Sequence, residues 1–380
     1  MNTIEIALLV LATLGALYYI LSTLALVRHF RGARSTRCPL HSSPTSSLLK
    51  PVSGVDADAR EGFLSFLKQD YPDYEVLFGV LERDDPATDV ISDAIQGAGN
   101  ATLHVGSGIH GSNNKVRILH NLAGRAIGGI LVVTDADTRV TPDFLITITR
   151  PFEDPEVGAV TCLYRGTGAR TAADALEGLH MTCVFAPGVA AAKALGGIDF
   201  GLGAAIAVRR SALDAIGGFE AIVDYLADDY QLCHRVAGAG YRVVLSDYVV
   251  DIMLSGEPLR AVLRRELRWS RTTRVSRPIG HFGLVVTFGF TYALGFLIAS
   301  GLSAAGWYVL ATVLAVRLVT AWIGARLCLG DRESPRRLHL LPARDVLSFG
   351  IWVAGYFSNT VNWRGRKLRV LRDGRMIEKA

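Results

Sequence analysis

The run Ile4 to Val27 limits this chain more than any other feature, because it is almost wholly apolar and Glu5 is its only charge. At ~1.5 Å per helical residue it is long enough to cross a ~30 Å hydrocarbon core, and in lipid an isolated segment satisfies its backbone only as a helix. A cleaved signal peptide is the alternative. Against it, the apolar region is too long, no basic stretch precedes it, and Arg28, Arg31, Arg34 and Arg37 follow it. Those arginines predict that the next part of the chain stays in the cytoplasm. Phe282 to Leu302 and Trp307 to Leu329 are two further candidate spans, the second carrying Arg317 deep enough to need a partner or a polar cavity. A mean hydropathy of +0.30 alongside 20% charged residues fits a soluble domain joined to membrane segments.

The predicted segmentation is an N-terminal transmembrane helix over 1–28, a linker over 29–47 and an α/β domain over 48–257. An amphipathic interfacial segment over 258–281, membrane helices over 282–363 and a basic tail over 364–380 follow. Within the α/β domain, strands are predicted at Leu48–Gly54, Tyr74–Leu81, Thr102–Val105, Ile130–Val133, Val157–Tyr164 and Gly201–Val208. Helical periodicity falls between them at Phe63–Gln69, Asp89–Gln96, Asn114–Gly124 and Ala172–Ala194, and again at Ser211–Ile216. That alternation predicts a doubly wound, mostly parallel sheet. No G-x-G-x-x-G follows the first strand and no G-x-x-x-x-G-K-[ST] occurs, which argues against dinucleotide and P-loop sites.

Carboxylates gather where strands end. Ile130-Leu131-Val132-Val133 runs into Thr134-Asp135-Ala136-Asp137, and an Asp-x-Asp pair at the C-terminal edge of an open α/β sheet can hold a divalent cation shared with a diphosphate. A simple turn is the plainer reading. Asp84-Asp85 follows the second strand, and Asp228-Asp229 opens a helix, where capping and the macrodipole give an ordinary explanation.

The net charge of +5 does not point to nucleic acid, since the basic residues cluster beside apolar runs and the aromatics lack a base-stacking pattern. Pro258 to Arg277 holds seven arginines with Glu266 as the lone acid, interleaved with Leu259, Val262, Leu263, Leu267 and Trp269, which suits a membrane interface. The cysteines are scattered without a C-x-x-C pair, so neither a zinc site nor a disulfide framework is expected. Val346 to Val361 is short for a span. It is expected to be re-entrant or interfacial, which keeps the basic tail in the cytoplasm, and a tilted fourth crossing is the alternative.

In order along the chain, Asp84 with Asp85, Asp135 with Asp137, Asp228 with Asp229, and Arg265-Glu266-Leu267-Arg268-Trp269 resemble the D, DxD, D, (Q/R)xxRW signature of membrane-bound inverting GT-A glycosyltransferases. Leu49-Lys50-Pro51, Gln69-Asp70-Tyr71-Pro72-Asp73-Tyr74 and Asp228-Asp229-Tyr230 are similar to the ceramide glucosyltransferase family, family 21, over roughly Leu48 to Arg277. Val160–Gly166 and Phe185–Val189 look closer to a bacterial hopanoid-biosynthesis branch that transfers N-acetylglucosamine; animal ceramide enzymes carry His-Pro about where Phe185-Ala186 stands.

The resemblance implies a UDP-sugar donor, a membrane-lipid acceptor and a divalent metal, magnesium or manganese, held by Asp135 and Asp137. It implies Asp229 as the catalytic base and Asp84 on the uridine. Lys50, Pro51, Asn113, Lys115, Asp135, Arg265, Arg268 and Trp269 would line the nucleotide-sugar site. Arg117-Ile118 stands just after Gly111–Val116, where the family usually has Asn. A processive polysaccharide synthase shares the signature but needs a channel of several spans, and a transporter or scaffold with structural acidic pairs is the non-enzymatic alternative.

Overall fold

The computed structural model describes residues 1–34, 43–56, 58–363 and 366–378. Part of the linker expected over 29–47, and Arg364 and Gly365 at the head of the basic tail, lie outside these residues. Contacts divide the chain into two units. A sheet unit comprises Thr36–Tyr164, Ile198–Ser255 and Leu368–Ala380, and a helical unit comprises Met1–Ser35, Arg165–Gly197 and Gly256–Lys367.

In the sheet unit, β1 (Ser46–Pro51) is buried along its whole length, with Leu48 and Leu49 in hydrophobic cores on opposite faces. It pairs in parallel with β2 (Tyr74–Val80) and β4 (Ile130–Thr134), and β2 pairs in parallel with β3 (Ala101–Val105). Against β4 runs the antiparallel β7 (Ala205–Arg209), and β6 (Val157–Thr167) is antiparallel to β7, so β6 points with the first four strands. With β8 (Arg242–Met253) and β5 (Thr138–Arg139) the eight-stranded order is β3-β2-β1-β4-β7-β6-β8-β5. One core takes its helices from α2 (Ala59–Phe66), α3 (Ala87–Ile95) and α5 (Phe144–Thr149). The other takes α4 (Asn114–Ala123), α8 (Arg210–Ala215) and α9 (Asp228–Gly238). The mostly parallel α/β domain predicted from the sequence is therefore present, with two differences. Residues 201–204 form a loop before an antiparallel strand, and β5 and β8 were not expected.

The helical unit contains α1 (Thr3–Arg34), and the helix expected at Ala172–Ala194 divides into α6 (Ala172–His180), a π turn (Met181–Phe185) and α7 (Ala186–Gly196). It continues with α10 (Leu259–Ser276), α11 (Pro278–Gly283), α12 (Gly289–Ala299), α13 (Ala304–Ile323), α14 (Leu341–Ala354) and the short β9 (Thr360–Trp363). Among the described residues, Thr3–Gly32, Ala172–Gly196 and Ala304–Cys328 are long and apolar enough to cross a membrane. The expected straight span 282–302 is instead a pair, Pro278–Thr287 and Gly289–Ala299, bent by 52°. Ala172–Gly196 cannot be a lone crossing. It lies between β6 and β7, and a crossing there would put two hydrogen-bonded strands on opposite sides of the bilayer.

Close approach and ion pairing hold this unit together. A Cβ on Gly15 would fall 2.2 Å from Gly289 Cα, so α1 and α12 meet backbone to backbone, as small residues permit in membrane bundles. Arg317 has the partner its depth demands: Nε and Nη2 each donate to Asp345 at 2.8 Å, and Nη1 donates to the Cys183 carbonyl at 2.9 Å. Arg344, fully buried, donates to both oxygens of Glu266 at 2.7 and 2.9 Å. Of the apolar run 346–361, residues 346–354 form the C-terminal part of α14, whose first turns carry the buried Arg344 and Asp345, and Thr360 and Val361 open β9.

The arginines of α10 differ from a purely interfacial expectation. Arg271 donates to Thr360 O at 2.5 Å, and Arg274 donates to the Tyr356 and Ser358 carbonyls and to Asn359. Arg260 and Arg264 are the exposed arginines of the helix. The interfacial reading missed this because periodicity shows which face is polar but not what that face touches.

Candidate active site

Parallel strands β2 and β4 flank β1, so the carboxylates after each of them lie along one sheet edge. In the loop after β2 the two acids have different tasks. Asp85 accepts from Gly54 N–H and Ala87 N–H, each at 2.9 Å, and so fixes the turn after β1 to the start of α3. Asp84 is exposed and makes no hydrogen bond or ion pair among the described residues.

The loop after β4 rests on a buried ammonium. Lys50, 1% exposed, donates to the Asp135 carbonyl at 2.7 Å and to Thr138 Oγ1 at 3.0 Å, and lies 4.0 Å from the Phe66 ring centroid. Burial lowers its pKa to about 7, against the pull of Asp137 and Asp135. Thus Lys50 holds the loop from beneath, and the neighbouring Pro51 is buried at the end of β1, opposite Gly79 of β2. Asp137 has its carboxyl pushed up to about 7, by burial first and then by the charges of Asp135 and Asp56.

Lys115 joins two of the acidic sites. Its ammonium lies 2.7 Å from Asp135 Oδ1 and 3.2 Å from Asp228 Oδ2. Burial works against this charge, but the two carboxylates outweigh it and hold Lys115 above the ordinary lysine range. Asn113 is fully buried and caps α4, its Oδ1 accepting from Val116 N–H at 3.2 Å. Its Nδ2 donates to Tyr225 O at 2.8 Å and to Asp228 Oδ1 at 3.3 Å. Both oxygens of Asp228 are therefore occupied.

Asp229 is placed differently. Its Oδ1 accepts from Tyr230 N–H at 2.8 Å, while a Cβ on Gly203 would stand 3.3 Å from both Asp229 Oδ2 and Asp135 Oδ2. The two carboxylates face one small space, which a Cβ at position 203 would crowd. Burial, then the neighbouring Asp228 charge, raises Asp229 to about 6. The importance of Gly203 was not read from the sequence, although Gly201-Leu202-Gly203 before a small-residue strand was the available signal.

Among the described residues no group of three or more His, Cys, Asp and Glu converges to hold a metal ion. Two carboxylates still suit magnesium or manganese where diphosphate oxygens and water complete the shell, and Asp135 Oδ2 is turned into the shared space.

Arg265, Arg268 and Trp269 belong to the helical unit. Arg265 is gripped by two acids, Nε and Nη2 donating to Glu177 at 2.7 Å and Nη1 lying 2.5 Å from Glu257. Trp269 stacks on His180, with ring centroids 6.3 Å apart and planes at 17°. Arg268 is half-buried on the same helix.

An α/β unit with acidic strand ends, in a chain with helices able to cross a membrane, has the make-up of a membrane-associated glycosyltransferase. The sequence model described as Glycosyl transferase family 21 matches residues 7–376, and the chain belongs to that family. Relatives include ceramide glucosyltransferase 1 of Caenorhabditis elegans, 22% identical over 345 residues covering 88% of this chain and 73% of that protein. Ceramide glucosyltransferase 3 of the same organism is 24% identical over 267 residues, 69% of this chain, and the match spans 57% of that protein's length. Similar solved structures include the mannosyltransferase PcManGT from Pyrobaculum calidifontis in complex with GDP-Man and Mn2+, at TM-score 0.49 and 18% identity, covering 91% of this chain and 99% of that one. TarS 1–349 of S. aureus in complex with UDP-GlcNAc has TM-score 0.40 and 12% identity, covering 88% and 99%.

Proposed function

We propose that this glycosyltransferase moves a sugar from a UDP-sugar, with UDP-N-acetylglucosamine favoured, to a hydroxyl of a membrane lipid, most plainly a polyhydroxylated hopanoid. The carrying observation is the space at Gly203 faced by Asp135 Oδ2 and Asp229 Oδ2. Asp229 is the base. Of its pair it alone has an oxygen turned to that space, and a carboxyl raised to about 6 still ionises at neutral pH while accepting a proton more readily than an ordinary one. A lipid hydroxyl loses its proton to Asp229 as its oxygen bonds the anomeric carbon and the bond to UDP breaks on the opposite side. That single displacement inverts the centre.

Asp135 and Asp137 would hold a magnesium or manganese ion, which when bound offsets the charge of the leaving UDP. Lys115 places a further positive charge beside Asp135, Asp84 is open to hydrogen-bond the uridine, and Arg268 and Trp269 serve diphosphate and acceptor. Lys50, Pro51 and Asn113 act by shaping the loops that carry these groups, and Arg265 by fixing α10. The catalytic unit lies in the cytoplasm at the inner membrane, a placement that rests on the arginines after α1.

The hopanoid acceptor rests on the sequence around Val160–Gly166 and Phe185–Val189. The names of the curated relatives keep ceramide with UDP-glucose as the second reading. Membranes containing the protein, given labelled UDP-N-acetylglucosamine or UDP-glucose with hopanoid or ceramide, decide the matter. The expected product is a single N-acetylglucosaminyl hopanoid. Glucosylceramide would transfer the assignment to the second reading, polymer would indicate a processive synthase, and no product from any pair would sink the proposal.

A further inference from the structure

We propose that the C-terminal hairpin is a clip that sets the positions of Lys115, Asp228 and Asp229, and that the donor site depends on it. This rests on the roles given above to those residues. β10 (Arg366–Val370) and β11 (Met376–Glu378) pair antiparallel, Leu368 opposite Glu378 and Val370 opposite Met376. Met376, 2% exposed, joins two loops through its own backbone: its N–H donates to Asp224 O at 2.7 Å, and its carbonyl accepts from Ser112 Oγ at 3.2 Å. Leu226 N–H donates to Gly374 O at 3.4 Å, and Tyr225 and Arg375 form an antiparallel bridge.

The two loops also hold one another. Ser112 N–H donates to Asp224 Oδ1 at 2.9 Å, Asn113 N–H to Val223 O at 2.9 Å, and Asn113 Nδ2 to Tyr225 O at 2.8 Å. Lys115 lies just beyond the first loop, and Asp228 and Asp229 just beyond the second. Slack between the loops therefore changes how Lys115 bridges Asp135 and Asp228, and where Asp229 faces Gly203. Misplacement of reacting groups by about 1 Å can cost about a hundredfold in rate.

The clip also fixes a parity. Residues 368–380 belong to the same unit as 36–164 and 198–255, so the chain from Gly256 to Lys367 crosses the membrane an even number of times. The tail then lies on the side of the catalytic carboxylates.

The test is a chain ending at Lys367, produced in membranes, with UDP affinity and turnover measured separately before and after adding a synthetic 366–380 peptide. Expected are normal membrane insertion, UDP binding at least about tenfold weaker, and saturable recovery with the peptide. Met376→Pro, which removes the N–H to Asp224 and the buried side chain together, should weaken UDP binding in the full chain, while Met376→Leu, which keeps the N–H and an apolar side chain, should not. Wild-type UDP affinity in both the truncated chain and Met376→Pro would overturn the clip. So would a truncated chain that the peptide never restores while Met376→Pro binds normally, since the tail would then serve folding alone. An error in assigning Asp229 as base would appear in turnover and leave the UDP measurements untouched.

Parity is read with an impermeant thiol reagent on intact spheroplasts, in a Cys38→Ser background. A cysteine appended after Ala380 and Ile127→Cys, at a position 74% exposed in the sheet unit, should be labelled from the same side. Labelling from opposite sides would overturn the proposal.

Discussion

The two units treat buried charge in opposite ways. In the helical unit each buried arginine meets a carboxylate with two matched hydrogen bonds, Arg317 on Asp345 and Arg344 on Glu266. Neither pair leaves a charge over for a ligand. In the sheet unit Asp135, Asp228 and Asp229 gather about the Lys115 ammonium while Asp137 lies near Lys50, and burial with like charge pushes Asp137 and Asp229 upward. A bidentate pair fixes geometry, whereas a surplus of carboxylate in one place is costly unless a cation or a proton enters. The first arrangement is scaffold, and the second is the one on which the proposed donor site is built.

The sharpest way to break this contrast is Asp229→Asn. It should lower turnover by about 10²–10⁴-fold, the usual worth of a general base, with UDP-sugar affinity nearly unchanged. Near-normal turnover would remove Asp229 from the chemistry. On the scaffold side, Arg317→Ala leaves Asp345 buried and unpaired and should destabilise the detergent-solubilised protein by about 3–5 kcal/mol. The double variant Arg317→Met/Asp345→Leu should recover most of that loss in thermal unfolding. If the double variant is as unstable as the single one, the pair does more than neutralise charge.

Smaller in size is the pH dependence. As the proposed base Asp229 has to be ionised, and burial raises its carboxyl to about 6, so turnover should be level above that value and fall about tenfold per pH unit below it. A limb that persists in Asp229→Asn would assign the titration to another group. The smallest effect should come from Arg260→Glu with Arg264→Glu, the exposed arginines of α10. A loss of up to about thirtyfold on bilayer-embedded acceptor, from about 1 kcal/mol for each of the two basic residues near an anionic surface, should accompany unchanged turnover on a detergent-dispersed one. Equal losses on both would place their role inside the protein.

Much of this was determined by sequence alone. Apolar runs that end in carboxylates defined β2 and β4, Leu48–Gly54 defined β1 with a turn after it, and a run of spanning length with Glu5 as its only charge defined α1, because periodicity and hydropathy are local consequences of burial. What one residue's neighbours cannot fix is which member of an acidic pair is spent. Asp85 is taken by Gly54 and Asp228 by Lys115, whereas Asp84 is exposed and Asp229 keeps one oxygen toward the Gly203 space. Tertiary structure decided those assignments, along with the reversal of β7 that brings Gly203 between two carboxylates and the buried partner of Arg317. It also brought Met376 to Ser112 across 264 residues of chain. A charged or hydrogen-bonding group is defined by its partner in space, and over such separations the pattern of one stretch carries no information about the other.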